Sequence, residues 1–223
     1  YGTDALRFTL ATSSTPGNDS KLVPDRIIGN RNFANKIWNA SRFVLMATAE
    51  TGGGIPDIHT IQPQTLADRW ILGRLARLTG NVTRLIDDIQ LGEAGRQINE
   101  VFLSDYCDWY LEIAKVQLQG DDTARQTTAA ILRSVLDQTL RLLHPYMPFV
   151  TEEVWQHLYR LTEADGAKWP APALIVAPAT RSPGTATSST ASPASTRAPS
   201  PARAPRSSAR AAGKATRLPA GPT

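Results

Sequence analysis

Three long apolar stripes constrain what this chain can fold into. The first is Leu66, Ile71, Leu75, Leu78, Val82, Leu85 and Ile89. The second is Ala94, Ile98, Phe102, Tyr106, Trp109, Ile113 and Val116, and the third Ile131, Leu132, Val135, Leu136, Leu140 and Leu143. Steps mainly of three and four place each set along one side of an α-helix, and each such side needs a partner to cover it. Only short breaks separate the stripes, at Gln90-Leu91-Gly92 and Gly120-Asp121-Asp122, so the helices must fold back on one another. No segment before Leu174 alternates like a strand. The pattern predicts an all-α fold, an antiparallel helical bundle.

The punctuation agrees with this reading. Thr65 with Asp68 forms a variant capping box ahead of the first stripe, and the third stops at His144-Pro145. Pro148 opens a last amphipathic helix through Val154, Trp155 and Leu158. Gly73 and Gly80 weaken the first helix, and close approach of a neighbour would account for them. Near the start, Thr3 can cap a short helix through Leu6 and Leu10, with Asp4 at its positive end.

Between these lies a helix of another character, opened by Pro24 and ended by Gly52-Gly53-Gly54. Ile27, Ala34, Ile37, Ser41, Val44 and Thr48 mark its buried side, widened by Trp38 and Leu45. Asn30, Asn32, Asn35 and Asn39 fall within ten residues, although short amides compete for the backbone and disfavour helix. Amides beside Lys36, Arg42 and Phe43 suit the reading of unstacked bases: amides meet base edges, cations meet phosphate and the ring stacks. The same amides would also serve a helix that caps loops and packs its neighbours.

Charge assigns nothing by itself. Residues 181–223 hold six Arg, one Lys and no acid, leaving 17 basic against 20 acidic residues in 1–180. The basic balance thus belongs to the tail. One cysteine, Cys107, excludes an internal disulfide, fits a reducing compartment and sits in a helical pattern where a buried, inert thiol is expected. No apolar run is long enough for a membrane span. His59, His144 and His157 have no partner at metal-ligand spacing, and Asp105, Asp108 and Glu112 read as capping and ion-pair groups. The series Arg69, Arg74, Arg77 and Arg84 reads as a solvated face.

Several runs together resemble one family. Gly29 to Phe43, Tyr1 to Phe8, Ser104-Asp105-Tyr106-Cys107-Asp108-Trp109-Tyr110-Leu111-Glu112 and Leu143 to Trp155 occur in the order found in valyl-tRNA synthetases, class I aminoacyl-tRNA synthetases. The resemblance covers residues 1 to about 178. It implies that 1–20 is a stem after a catalytic domain, 21–165 the anticodon-binding helical bundle and 166–178 a linker. It also implies tRNA-Val as partner, with Asn35, Lys36, Asn39, Arg42 and Phe43 as tRNA-binding residues. The complete enzyme would use ATP and Mg; these residues contain neither a HIGH-type nor a KMSKS motif, so no cofactor and no adenylate formation are expected of this chain alone. A monomer in the cytoplasm, working beside its missing catalytic domain, completes the picture.

From 179 to 223 the chain is almost wholly Ala, Ser, Pro, Thr, Arg and Gly, with no aromatic residue. Such a segment buries too little to offset its ordering entropy, and a disordered tail is expected. The abrupt change after Pro178 suggests a frameshift in a GC-rich gene; a genuine basic tail with unspecific RNA affinity is the alternative. The competing function is a helical protein-interaction scaffold, with apolar surface near Leu6 and Phe8 as its interface.

Overall fold

The computed structural model describes residues 1–13, 22–52 and 54–160; the linker and the Ala/Pro/Ser/Arg-rich tail lie outside them. The described residues form helices α1 (Thr3–Ser13), α2 (Pro24–Ala47), α3 (Leu66–Asp87), α4 (91–117), α5 (Asp122–Leu143) and α6 (Pro148–Arg160), with no strand among them. Two single helical turns, Ala49–Thr51 and Ile58–Thr60, punctuate the α2–α3 connection.

Side-chain pairs give the directions. Asp68 meets Tyr110, Thr65 meets Gln117 and Arg74 meets Asp105, so α3 and α4 run antiparallel. Tyr106 Oη donates to the Leu132 carbonyl and Thr128 Oγ1 to Gln117, so α4 and α5 do as well. Helix α2 runs parallel to α4, as alternate members of an up-and-down bundle must. Helix α5 is central: Ile131 through Asp137 are all buried. Each of its buried polar residues makes at least one hydrogen bond, as burial favours. Arg133 donates to the Gly52 carbonyl, Ser134 to that of Pro56, and Asp137 accepts from the Trp155 indole at 2.8 Å and from Arg141 at 2.9 Å. Burial pushes the Asp137 carboxyl up, opposed by Arg141 and then by the indole hydrogen bond.

An aromatic chain fastens α1 to the rest. Phe8 packs on Phe33 at 5.4 Å and on Tyr146 at 5.9 Å, and Phe33 packs on Phe102 at 6.0 Å. These separations lie in the favourable range for tilted rings. Phe8 is therefore core and cannot be the surface that a scaffold reading gave it, while Leu6 and Leu10 are exposed. Asp4 serves a different helix from its own: its carboxylate accepts from the amides of Val150 (2.7 Å) and Phe149 (3.3 Å) in the first turn of α6.

The glycines answer differently from expectation. A side chain at Gly73 or Gly80 would meet nothing within 4 Å, so neither marks a close approach. Gly95 does: a Cβ there would stand 2.7 Å from Thr12 Cγ2, where α1 presses on α4.

Two stripe ends are also displaced. Leu66, the first residue of α3 after the Thr65 cap, is exposed, and so is Ile89, which has left the helix. Ile89 N–H bonds to the Ile86 carbonyl and Gln90 N–H to that of Leu85, a Schellman closure with Ile89 at φ +58° where glycine is usual.

Helix α4 has the largest deviation. It comprises Leu91–Glu100, Val101–Tyr110 and Leu111–Gln117, and the middle segment winds as a π-helix, Leu111 N–H reaching the Tyr106 carbonyl five residues back. One row of its buried side, Ala94, Ile98, Phe102, Tyr106, Tyr110 and Ala114, keeps a strict spacing of four, with Cys107 and Leu111 buried beside it. In a plain α-helix such a row would turn about 40° per step away from the core. The wider turn returns it. Trp109 and Val116, expected on the buried stripe at α-helical spacing, are consequently exposed.

Candidate nucleic-acid interface

Helix α2 buries Ile27, Phe33, Ile37, Ala40, Ser41 and Val44, which leaves the opposite side to solvent. At about 100° per residue, Asn35, Asn39 and Arg42 share roughly 60° of arc at the crest of that side. Lys36 and Phe43 lie together on the flank toward α4, and Trp38 and Leu45 on the flank toward α6. Asn35, Lys36, Asn39 and Arg42 are exposed; Phe43 is half-buried.

The four asparagines divide by what they touch. Asn30 Nδ2 donates to Thr9 Oγ1 at 2.7 Å, a structural bond between α1 and α2. Asn32 accepts a long bond from its neighbour Arg31. Among the described residues, the side chains of Asn35, Asn39 and Arg42 have no hydrogen-bond or ion-pair partner.

The α4 flank is furnished by the π-helical segment and the turn beyond it. Lys36 Nζ stands 3.7 Å from Asp108, and Lys115 Nζ lies over the Phe43 ring, 5.5 Å from its centroid and 2.6 Å from Glu112. Phe43 thus has one edge in the core and a cation as its roof, a cation–π contact whose ammonium is exposed and paired with Glu112. Beneath this flank Cys107 is buried. Desolvation pushes its thiol up to about 12, with Lys36 drawing it down and Asp108 adding to the rise, which keeps the buried thiol protonated at neutral pH.

Asp108 and Lys115 were not among the nominated residues. Both pairs share one spacing: Lys36 and Phe43 are seven apart on α2, and Asp108 and Lys115 seven apart on α4. Two parallel helices with matched two-turn spacings were the available signal.

Comparison with known proteins decides the family. The sequence model described as "Anticodon-binding domain of tRNA ligase" matches residues 68–189. The chain belongs to this family. The anticodon-binding match covers α3 to α6, runs past Pro178, and begins after the nominated residues of α2. Among its relatives, the valine–tRNA ligase of Halalkalibacterium halodurans is 50% identical over 172 residues, 76% of this chain and 19% of that protein. Those of Bacillus licheniformis and Bacillus subtilis are 48% and 47% identical over 76% and 77% of the chain, again 19% of their own length. The chain therefore spans about a fifth of the length of these relatives. Among the described residues no three His, Cys, Asp or Glu side chains are grouped to hold a metal, and no helix is long and apolar enough to cross a membrane.

Proposed function

We propose that the exposed side of α2 reads anticodon bases of tRNA-Val, as the anticodon-binding part of a valine–tRNA ligase. The observation that carries this is the unspent hydrogen-bonding capacity of Asn35, Asn39 and Arg42 among the described residues. A helix whose amides served packing would use them as Asn30 does. In this reading Asn35 and Asn39 contact base edges, Lys36 and Arg42 meet phosphate, and Phe43 stacks on a base once Lys115 moves aside to a phosphate of its own. Aminoacylation of tRNA with valine, using ATP and Mg, belongs to the complete enzyme, with the catalytic domain as the bundle's intramolecular partner. A monomer in the cytoplasm, divided into stem (1–20), bundle (21–165), linker (166–178) and tail (179–223), fits the same reading.

The test is the affinity of the chain for tRNA-Val transcripts with intact and altered anticodons at two salt concentrations. Contributions from the tail fall with salt and ignore sequence. Expected is a preference for the intact anticodon that survives the higher salt, with Phe43→Ala losing about 1–3 kcal/mol and Asn39→Ala losing the discrimination between transcripts. Equal affinity for both transcripts would sink the proposal.

A further inference from the structure

The flank of α2 toward α6 holds a groove of about 260 Å³ lined by Trp38, Ser41, Arg42, Leu45, Val154 and His157. Its walls are apolar: Leu45 packs against the core and Val154 is buried. Trp38 is 38% exposed, so part of a large apolar side chain faces solvent beside the groove. The His157 ring meets it at 6.2 Å and 77°, an edge-to-face pair. At the rim stands Arg42, exposed and without an ion-pair partner among the described residues.

We infer that this groove takes one unstacked nucleobase of the RNA strand that α2 reads, a second slot separate from Phe43. The inference rests on the RNA reading proposed above. Three features fix the occupant. An indole with an imidazole across its end is a stacking wall for a planar heterocycle. The apolar walls suit the flat face of a base, whose polar edge stays at the open rim beside Arg42 and His157. Arg42 belongs both to the crest and to the groove rim, so its guanidinium can hold the phosphate that precedes the inserted base. A strand crossing Asn39 and Arg42 would therefore place one base on the Phe43 flank and the next on the Trp38 flank, splayed apart by the crest.

The chain of 223 residues is titrated with a tRNA-Val transcript and with transcripts carrying a single abasic nucleotide at successive anticodon-loop positions. Trp38→Leu is expected to lower affinity for the intact transcript about 5- to 150-fold, and Trp38→Phe far less. At one abasic position Trp38→Leu should cost nothing further, because wall and base are then lost together. His157→Ala, which removes a smaller ring, should show the same coupling at the same nucleotide; helicity and melting temperature report whether each variant is folded. Unchanged affinity in folded Trp38→Leu, while Phe43→Ala still loses anticodon preference, overturns the groove and leaves the RNA reading standing. A change of oligomeric state on sedimentation, with RNA affinity unchanged, makes the groove a self-association surface and also overturns it. If the unsubstituted chain shows no anticodon preference, the RNA reading itself fails and the groove proposal with it.

Discussion

Replacing Ile89 by glycine should stabilise this protein, although it removes a large apolar side chain. Ile89 sits at φ +58° at the end of α3 and is 73% exposed. The left-handed conformation costs an L-residue about 1–2 kcal/mol, with β-branching at the upper end. Glycine is free of that cost but has more freedom in the unfolded chain, which takes back about 0.4–1 kcal/mol. The side chain's quarter-burial is worth roughly 0.5 kcal/mol, a fraction of the ~1.5–3 kcal/mol for a fully buried isoleucine. The net gain over isoleucine is about 0.5 kcal/mol. Against Ile89→Ala, which loses the burial but keeps Cβ, glycine should be ahead by about 0.5–1 kcal/mol, the reverse of their order inside a helix. Urea unfolding followed by circular dichroism at unchanged slope measures both variants. If alanine equals or exceeds glycine, the strain argument at this closure is wrong.

Four further outcomes follow from other contacts. Asp4→Ala should cost about 1–2 kcal/mol, as loss of a helix cap does, and Asp4→Asn less, because the amide oxygen still accepts; chemical unfolding gives both. Asp108→Asn should raise affinity for tRNA by up to about fivefold at low salt, since it releases Lys36 from an exposed pair; a titration against salt shows it. Cys107 should resist Ellman's reagent in the folded protein and react at once in urea, because burial holds the thiol near 12. Burial pulls His144 below its ordinary 6.5, opposed by the charges of Glu152 and Asp4. The unfolded chain then takes the proton first as pH falls below 6.5, so stability drops through that window until the folded value is passed. His144→Gln should flatten that part of the stability profile.

What the sequence made legible is what short-range periodicity encodes. The stripes of α3 and α5 give the helices, and Thr65 with Asp68 forms the capping box that their spacing announces. Stripe ends are less legible, because Leu66 and Ile89 keep the helical rhythm while the backbone turns away beneath them. Trp109 and Val116 fail for another reason: a 3.6-residue rhythm was assumed for a segment that winds more widely. Phe33 hides among polar neighbours, and its burial depends on Phe8 and Phe102, distant in sequence. By position Asp4 favours its own helix, yet its partners lie more than 140 residues away. On α2, side-chain type placed Asn35, Lys36, Asn39 and Arg42 outward, where they are exposed, but set Trp38 on the buried side, and it stands 38% exposed. The roof of Lys115 over Phe43 and the pairing of Lys36 with Asp108 depend on the register between parallel helices, which composition does not specify.

The wide winding of residues 101–110 makes α4 a shaft with a phase correction in its middle. Residues 91–100 are indexed against α1 and α3, and residues 111–117 independently against α5 and the Thr65 cap. Removing one residue from the wide stretch would leave the first half in place and turn the second by about 100°. Lys115 would swing off Phe43 and Gln117 off Thr65 in one movement. Insertions and deletions there act as a rotary adjustment on the edge of the α2 surface, without touching any residue of α2.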